Sequence, residues 1–281
     1  LIIEAPIIML LAASTALSKD KASYESLRSF THRLSILLTI IHAIVAFTPL
    51  FDLWIVPAMD VPPEVIEPAR LGLRIMIPWT WPIAYRRFCQ GVLIRFGYSK
   101  AVTIGTGFRL VAMVSTLIVG SLFLELPGVA VGASAVIAGV VAEAVYAGWR
   151  VQPVVREHLS HVDRDDPPLR GQAFAAFYIP LGMTSLITLA AQPMCAAGMG
   201  RMPEEIESLA LWPVMIGLIF MLQALGLAFN EVVVAWVGRP EARKALWQFT
   251  LLLCFGTGGA LGLLAMTPLA CAADAGPWVL V

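Results

Sequence analysis

Of 281 residues, 59% are hydrophobic and only 14% charged, mean hydropathy is +0.81 and the formal net charge is zero. Soluble domains carry about a quarter charged residues, so this chain lacks the polar surface to face water and needs lipid over most of its exterior. A zero net charge also argues against a nucleic-acid partner, which would require a basic face.

Eight segments approach the roughly 20 mostly apolar residues of a membrane helix. They are Leu1–Leu17, Leu34–Val56, Ala69–Ile94, Ala101–Leu124, Val129–Trp149, Gln172–Ala197, Leu209–Val237 and Leu246–Pro268. No stretch alternates with a strand period, and only helices or closed barrels satisfy their backbone groups in lipid. The expected fold class is therefore all-α membrane. The sequence opens at Leu1 inside an apolar run, without the charged start of a signal peptide, and reads as a piece of a longer protein.

Between the spans, basic residues fall on alternate connections. One set holds Lys19, Lys21, Arg28, Arg33, Arg95, Lys100, Arg150, Arg156, Arg164, Arg170, Arg239, Arg243 and Lys244. The other holds Arg70 and Arg201 among Asp60, Glu64, Glu67, Glu125, Glu204, Glu205 and Glu207. Positive residues stay on the cytoplasmic side, which makes the first set cytoplasmic and the chain a multi-pass protein of the cytoplasmic (plasma) membrane.

The longest cytoplasmic connection, Val151–Gly171, carries Pro153, Pro167 and Pro168 and reads as a linker between two bundles. Its His158, His161, Asp163, Asp165 and Asp166 match no metal-ligand spacing and read as a solvated loop. Cys89, Cys195, Cys254 and Cys271 are far apart and suit neither a disulfide framework nor a metal. No metal site and no tightly bound cofactor is expected.

An internal repeat sets the architecture. Leu27–Asp52 aligns without a gap on Leu246–Cys271, a constant offset of 219. Leu27, Phe30, Thr31, Leu34, Ala46, Thr48, Pro49 and Leu50 meet Leu246, Phe249, Thr250, Leu253, Ala265, Thr267, Pro268 and Leu269. These are the second and eighth spans, so the unit is six helices in parallel orientation. The chain then covers helices two to nine of a twelve-helix design: residues 1–157 a first bundle, 158–171 a linker, and 172–281 an incomplete second bundle.

Charged residues inside spans ask for a reason, since each costs on the order of 2.5–3.5 kcal/mol at mid-bilayer. At about 1.5 Å per residue, Arg86, Arg87, Arg109 and Glu143 fall in one layer of the inner third, with Gln90 nearby. An ion-pair cluster that pins helices together accounts for part of this. Three cations against one anion leave an excess, and a guanidinium suits a carboxylate, phosphate or pyrophosphate. Arg74 lies near the outer surface. Glu4 falls at the repeat equivalent of Gln223, so the two could face each other across a two-fold cavity. His42 stands alone in its span and is expected to bond a neighbouring helix. Pro78, Pro82, Pro180, Pro193 and Pro213 interrupt spans and favour kinks.

Leu73-Arg74-Ile75, Pro82, Arg86, Gly91, Arg109, Gly128, Gly132, Gly139 and Glu143, followed by Tyr178-Ile179-Pro180-Leu181-Gly182, carry a resemblance. Together they resemble the multidrug/oligosaccharidyl-lipid/polysaccharide flippase superfamily, which includes multidrug and toxic compound extrusion transporters and the progressive ankylosis branch. The resemblance implies a V-shaped pair of six-helix bundles working by alternating access. It also implies possible coupling to Na+ or H+, although the acidic residue on helix one that often handles the cation lies outside this sequence. The major facilitator loop Gly-x-x-x-Asp-Arg is missing from Ser18–Leu27.

The expected function is transport or flipping of an amphipathic or anionic solute, lipid-linked ones included, with the lipid bilayer as partner. Arg86, Arg87, Gln90, Arg109, Glu143, Glu4 and Gln223 are its candidate binding residues. A cation-coupled multidrug exporter and a membrane-embedded lipid-modifying enzyme are the alternatives. No catalytic motif is present, so an enzyme is not expected.

Overall fold

The computed structural model describes residues 3–59, 62–124, 126–159, 171–199 and 240–266, with Arg201 and scattered positions between 210 and 229. Every regular element among them is helical. The helices are α1 Ala5–Ile8, α2 Leu10–Leu17, α3 Lys21–Phe47, α4 Val56–Met59, α5 Pro63–Ile75, α6 Thr80–Arg95, α7 Ser99–Leu122, α8 Gly128–Leu159, α9 Gly171–Met199 and α10 Arg243–Met266. Five described helical stretches are long and apolar enough to cross a membrane: Lys21–Phe47, Ser99–Leu122, Gly128–Leu159, Phe174–Ala191 and Arg243–Leu263. The protein is a membrane protein, all-helical among its described residues.

The surface of α3 shows why lipid is its solvent. Leu27, Thr31, Ser35, Leu38, His42 and Ala46 are buried, whereas Ile36, Leu37, Ile40, Ile41, Ile44 and Phe47 are exposed. Water would favour the reverse arrangement. The buried hydroxyls satisfy themselves on the preceding turn, Thr31 donating to the Leu27 carbonyl at 2.9 Å and Ser35 to that of Thr31 at 2.8 Å.

Several expected boundaries move. α3 begins at Lys21, well before the expected Leu34, so most of the loop Ser18–Leu27 is helical. Asp20 is the reason: its carboxylate accepts from the Ser23 amide at 2.8 Å and the Ser23 hydroxyl at 2.9 Å, a side-chain cap on the first turn. Tyr24 and Leu27 then bury against Phe88 and Val92. The far end of α3 stops at Thr48-Pro49 and continues as a π-helical turn, Phe51–Ile55.

The expected span Ala69–Ile94 begins earlier and is broken. α5 ends at Ile75, a 3₁₀ turn covers Ile77–Trp79, and α6 starts at Thr80. Pro78 has no N–H to offer the Arg74 carbonyl, which forces the break. Pro82 sits in the first turn of α6, where its missing donor has no intrahelical partner to lose.

α8 overruns the expected linker. It stays helical to Leu159 despite Pro153, because Val151, Val154 and Leu159 are buried in the cluster around Phe88, Cys89 and Leu93. The rest of the linker, with His161, Asp163, Asp165 and Asp166, lies outside the described residues, as does most of the span Leu209–Val237.

Close helix approach relies on glycine. A Cβ at Gly91 of α6 would strike the Ser14 hydroxyl and the Leu11 carbonyl of α2, and the Gly91 carbonyl itself accepts from Thr15 at 3.1 Å. Between α7 and α8, Gly105 and Gly139 do the same work against Tyr146 and Arg109.

The chain divides into two compact units, Leu1–Gly198 and Met199–Val281. Helix α9 follows the expected linker, yet it packs within the first unit. Phe174 and Tyr178 contact the Phe30 ring, with centroids 4.7 and 4.9 Å away. In the second unit, α10 covers the described part of the segment matched by the repeat, residues 246–266. Thr250 bonds the Leu246 carbonyl at 2.8 Å, just as Thr31 bonds that of Leu27.

Candidate functional site

Helix α6 places Arg86 and Gln90 one turn apart, so both side chains leave the same face. That face meets Glu143 of α8. Arg86 Nη1 donates to Glu143 Oε2 at 2.6 Å, and Gln90 Nε2 donates to Oε1 at 2.8 Å. The Thr106 hydroxyl of α7 reaches the same Oε1 at 3.4 Å. Glu143 is 1% exposed, Gln90 4% and Arg86 5%. A buried carboxylate held by a guanidinium, an amide and a hydroxyl has both oxygens satisfied.

The arginines do not have the same relief. Among the described residues Arg86 has one carboxylate partner, Glu143, while neither Arg87 nor Arg109 has a carboxylate within ion-pair range. The Nε atoms of both Arg86 and Arg87 are buried and lack an acceptor. Arg109 belongs to α7, three residues after Thr106, which reaches Glu143. Its side chain runs along Gly139, one turn before Glu143 on α8, where a Cβ would lie 3.1 Å from Arg109 Cγ. Five of the seven sequence candidates, Arg86, Arg87, Gln90, Arg109 and Glu143, thus form one cluster across α6, α7 and α8. Thr106 joins it, a residue whose type and spacing carried no signal of its own.

Glu4 lies elsewhere. Its Oε1 is 3.2 Å from His42 Nδ1, and His42 Nε2 is 3.0 Å from the Leu73 carbonyl. His42 does bond a neighbouring helix through Nε2, and its closeness to Glu4 is a contact that spacing did not reveal. Gln223 lies outside the described residues. Arg74 stays near the end of α5, where its Nε donates to the Ala46 carbonyl at 3.2 Å and its guanidinium lies 5.3 Å from the Phe47 ring centre. His158 of the suggested metal group stacks on Phe96 with centroids 4.8 Å apart, and approaches the Tyr98 hydroxyl at 3.4 Å.

At one end of α7 and α8, an open groove of about 670 Å³ is lined by Tyr98, Lys100, Ile104, Tyr146, Trp149 and Arg150. The Arg86–Glu143 layer lies less than two turns further along α8 from Arg150. No family model, curated protein or solved structure matches this chain.

Proposed function

We propose that this chain belongs to a transporter or flippase of the cytoplasmic membrane, moving an anionic or lipid-linked solute by alternating access. One observation carries the reading: Arg86 pairs with Glu143, while Arg87 and Arg109 have no carboxylate partner among the described residues, and two buried Nε–H groups, of Arg86 and Arg87, are left without acceptors. Such donors are costly to leave unpaired in a low-dielectric setting. A carboxylate or phosphate oxygen supplies the missing charge and the missing acceptors together. Transient pairing with a passing anion explains why the excess is kept.

Two further features fit. The proline break at Ile77–Trp79 lies two turns from Arg86 on the same continuous segment, so bending there would move the cluster. The parallel repeat and the resemblance to the flippase superfamily supply the twelve-helix, two-bundle frame in which such bending opens alternate sides.

The test is reconstitution of the full-length protein in liposomes, with uptake of radiolabelled phosphate, pyrophosphate and dicarboxylates measured beside a cationic dye. Saturable anion flux that Arg87→Gln abolishes supports the proposal. Flux of the cationic dye alone, unaffected by Arg87→Gln, refutes it.

A further inference from the structure

We infer that the groove where α7 begins, beside α8, is a binding site for one anionic phospholipid of the surrounding leaflet. Lys100 and Arg150 hold its phosphate, and its acyl chains run along the two helices. Such a lipid is a resident of the bilayer rather than cargo, so the site stands apart from the transport reading above.

Helical spacing builds an amphipathic wall. Lys100, Ile104 and Phe108 are four apart and share one face of α7. On α8, Tyr146 and Arg150 are four apart, as are Val145 and Trp149. The helices run antiparallel, since Gly105 of α7 meets Tyr146 while Gly120 meets Val131. Each helix therefore places a cation at the same end, with aromatic and aliphatic residues one turn further in. Gly105 lets Tyr146 come close, a Cβ there lying 3.2 Å from its ring. Phe108 stacks on Tyr146 with centroids 4.9 Å apart, and the Trp149 ring lies 6.3 Å from that of Tyr146.

The cations of this groove are unspent. Among the described residues, Lys100, Arg150 and Arg156 have no carboxylate within ion-pair range. Arg95, in the same basic connection, differs: it donates to the Thr15 and Ala16 carbonyls at 2.7 and 3.3 Å. An adjoining groove of about 530 Å³ shares Trp149 and Arg150 and adds Arg156 with one carboxylate, Glu157. That carboxylate lies 3.5 Å from the Tyr98 hydroxyl. Three cations against one anion leave a positive mouth. A phosphodiester matches it, taking paired hydrogen bonds from a guanidinium and a point charge from an ammonium.

The wall below the mouth selects a lipid over a soluble phosphate. Ile104, Phe108, Val145 and Trp149 are all exposed, the last two by about two thirds. A soluble anion would leave them uncovered, whereas acyl chains bury them. Tyr and Trp beside cations are the residues of a membrane interface. Basic pockets between spanning helices on the cytoplasmic side suit anionic headgroups, which are concentrated in that leaflet.

Native mass spectrometry of the full-length protein in a delipidating detergent, titrated with phosphatidylglycerol or phosphatidylcholine, tests the site. One phosphatidylglycerol should be retained on the order of tenfold more tightly than phosphatidylcholine. Lys100→Gln combined with Arg150→Gln should abolish that preference. Lys19→Gln combined with Lys21→Gln, an equal loss of charge at exposed positions elsewhere, should keep it. Equal retention of the two lipids overturns the proposal, as does a preference that both double variants keep or both lose. Displacement of the lipid by inorganic phosphate alone overturns it too, because the apolar wall then contributes nothing. Photo-crosslinking of the unaltered protein frees the test from the folding of variants. With a diazirine in the acyl chain of phosphatidylglycerol, adducts should concentrate on Ile104, Phe108 and Val145. Adducts spread evenly over the exposed faces of α3, α7, α8 and α10 would overturn the site.

Discussion

Arg86 and Glu143 meet at 2.6 Å in a layer where both are nearly sealed from the surroundings, and every other polar contact of Glu143 reinforces that pairing. Breaking such a buried pair from one side strands a charge, at about 3–5 kcal/mol, while replacing both partners with apolar residues is often neutral. Glu143→Gln should therefore lower the thermal midpoint markedly in detergent, because the buried Arg86 guanidinium then loses its carboxylate. The double substitution Arg86→Met with Glu143→Met should recover much of the loss. A calorimetric or fluorescence melt of both variants checks this.

Arg87 should behave in the opposite way. Its guanidinium has no carboxylate partner among the described residues, and its buried Nε lacks an acceptor. Removing the charge relieves an uncompensated cost. Arg87→Gln is expected to melt no lower than the parent while anion flux falls at least tenfold, as loss of a charge-assisted contact of about 1.5–3 kcal/mol implies. Unchanged flux would count against cargo contact.

Gly91 tests the packing of α2 on α6. A methyl there collides with the Ser14 hydroxyl and the Leu11 backbone carbonyl, and backbone does not yield easily. Gly91→Ala should cost about 1–3 kcal/mol, the usual range for overpacking. Gly132→Ala, where a Cβ meets nothing within 4 Å, should leave stability unchanged or slightly raised. Parallel melts of the two variants separate close approach from a general dislike of side chains in glycine positions.

Sidedness is open to labelling. Lys100 lines the basic groove at the start of α7, and Glu67 on α5 has a side chain 79% exposed. With the native cysteines replaced, Glu67→Cys should react with a membrane-impermeant thiol reagent in intact cells. Lys100→Cys should react only after permeabilisation. The reverse pattern would invert the orientation.

The membrane class and the position of the long helices were legible because both depend on local runs of apolar residues. α7 matches its expected span within a few residues, and α10 begins within a few residues of its own, for that reason. The overruns of α3 and α8 were not legible. Arg28, Arg33, Arg150 and Arg156 made those stretches look like loops, whereas helix continues wherever a cap such as Asp20 starts it or buried residues such as Val151 and Val154 hold it. Charge pattern reports which side a segment lies on, and it says little about whether that segment is coiled.

Sequence by itself determined that lipid must cover this chain, that its spans are helical, and that Arg86, Arg87, Arg109 and Glu143 share a depth. Composition, apolar run length and the rise of a helix suffice for those statements, since each depends on one segment at a time. Tertiary structure alone decided the partners. Glu143 went to Arg86 rather than Arg87 because successive helix residues diverge around the axis and only one faced α8. Glu4 lies beside His42 because α3 and the first span are brought together, a contact between residues 38 positions apart that no local pattern encodes.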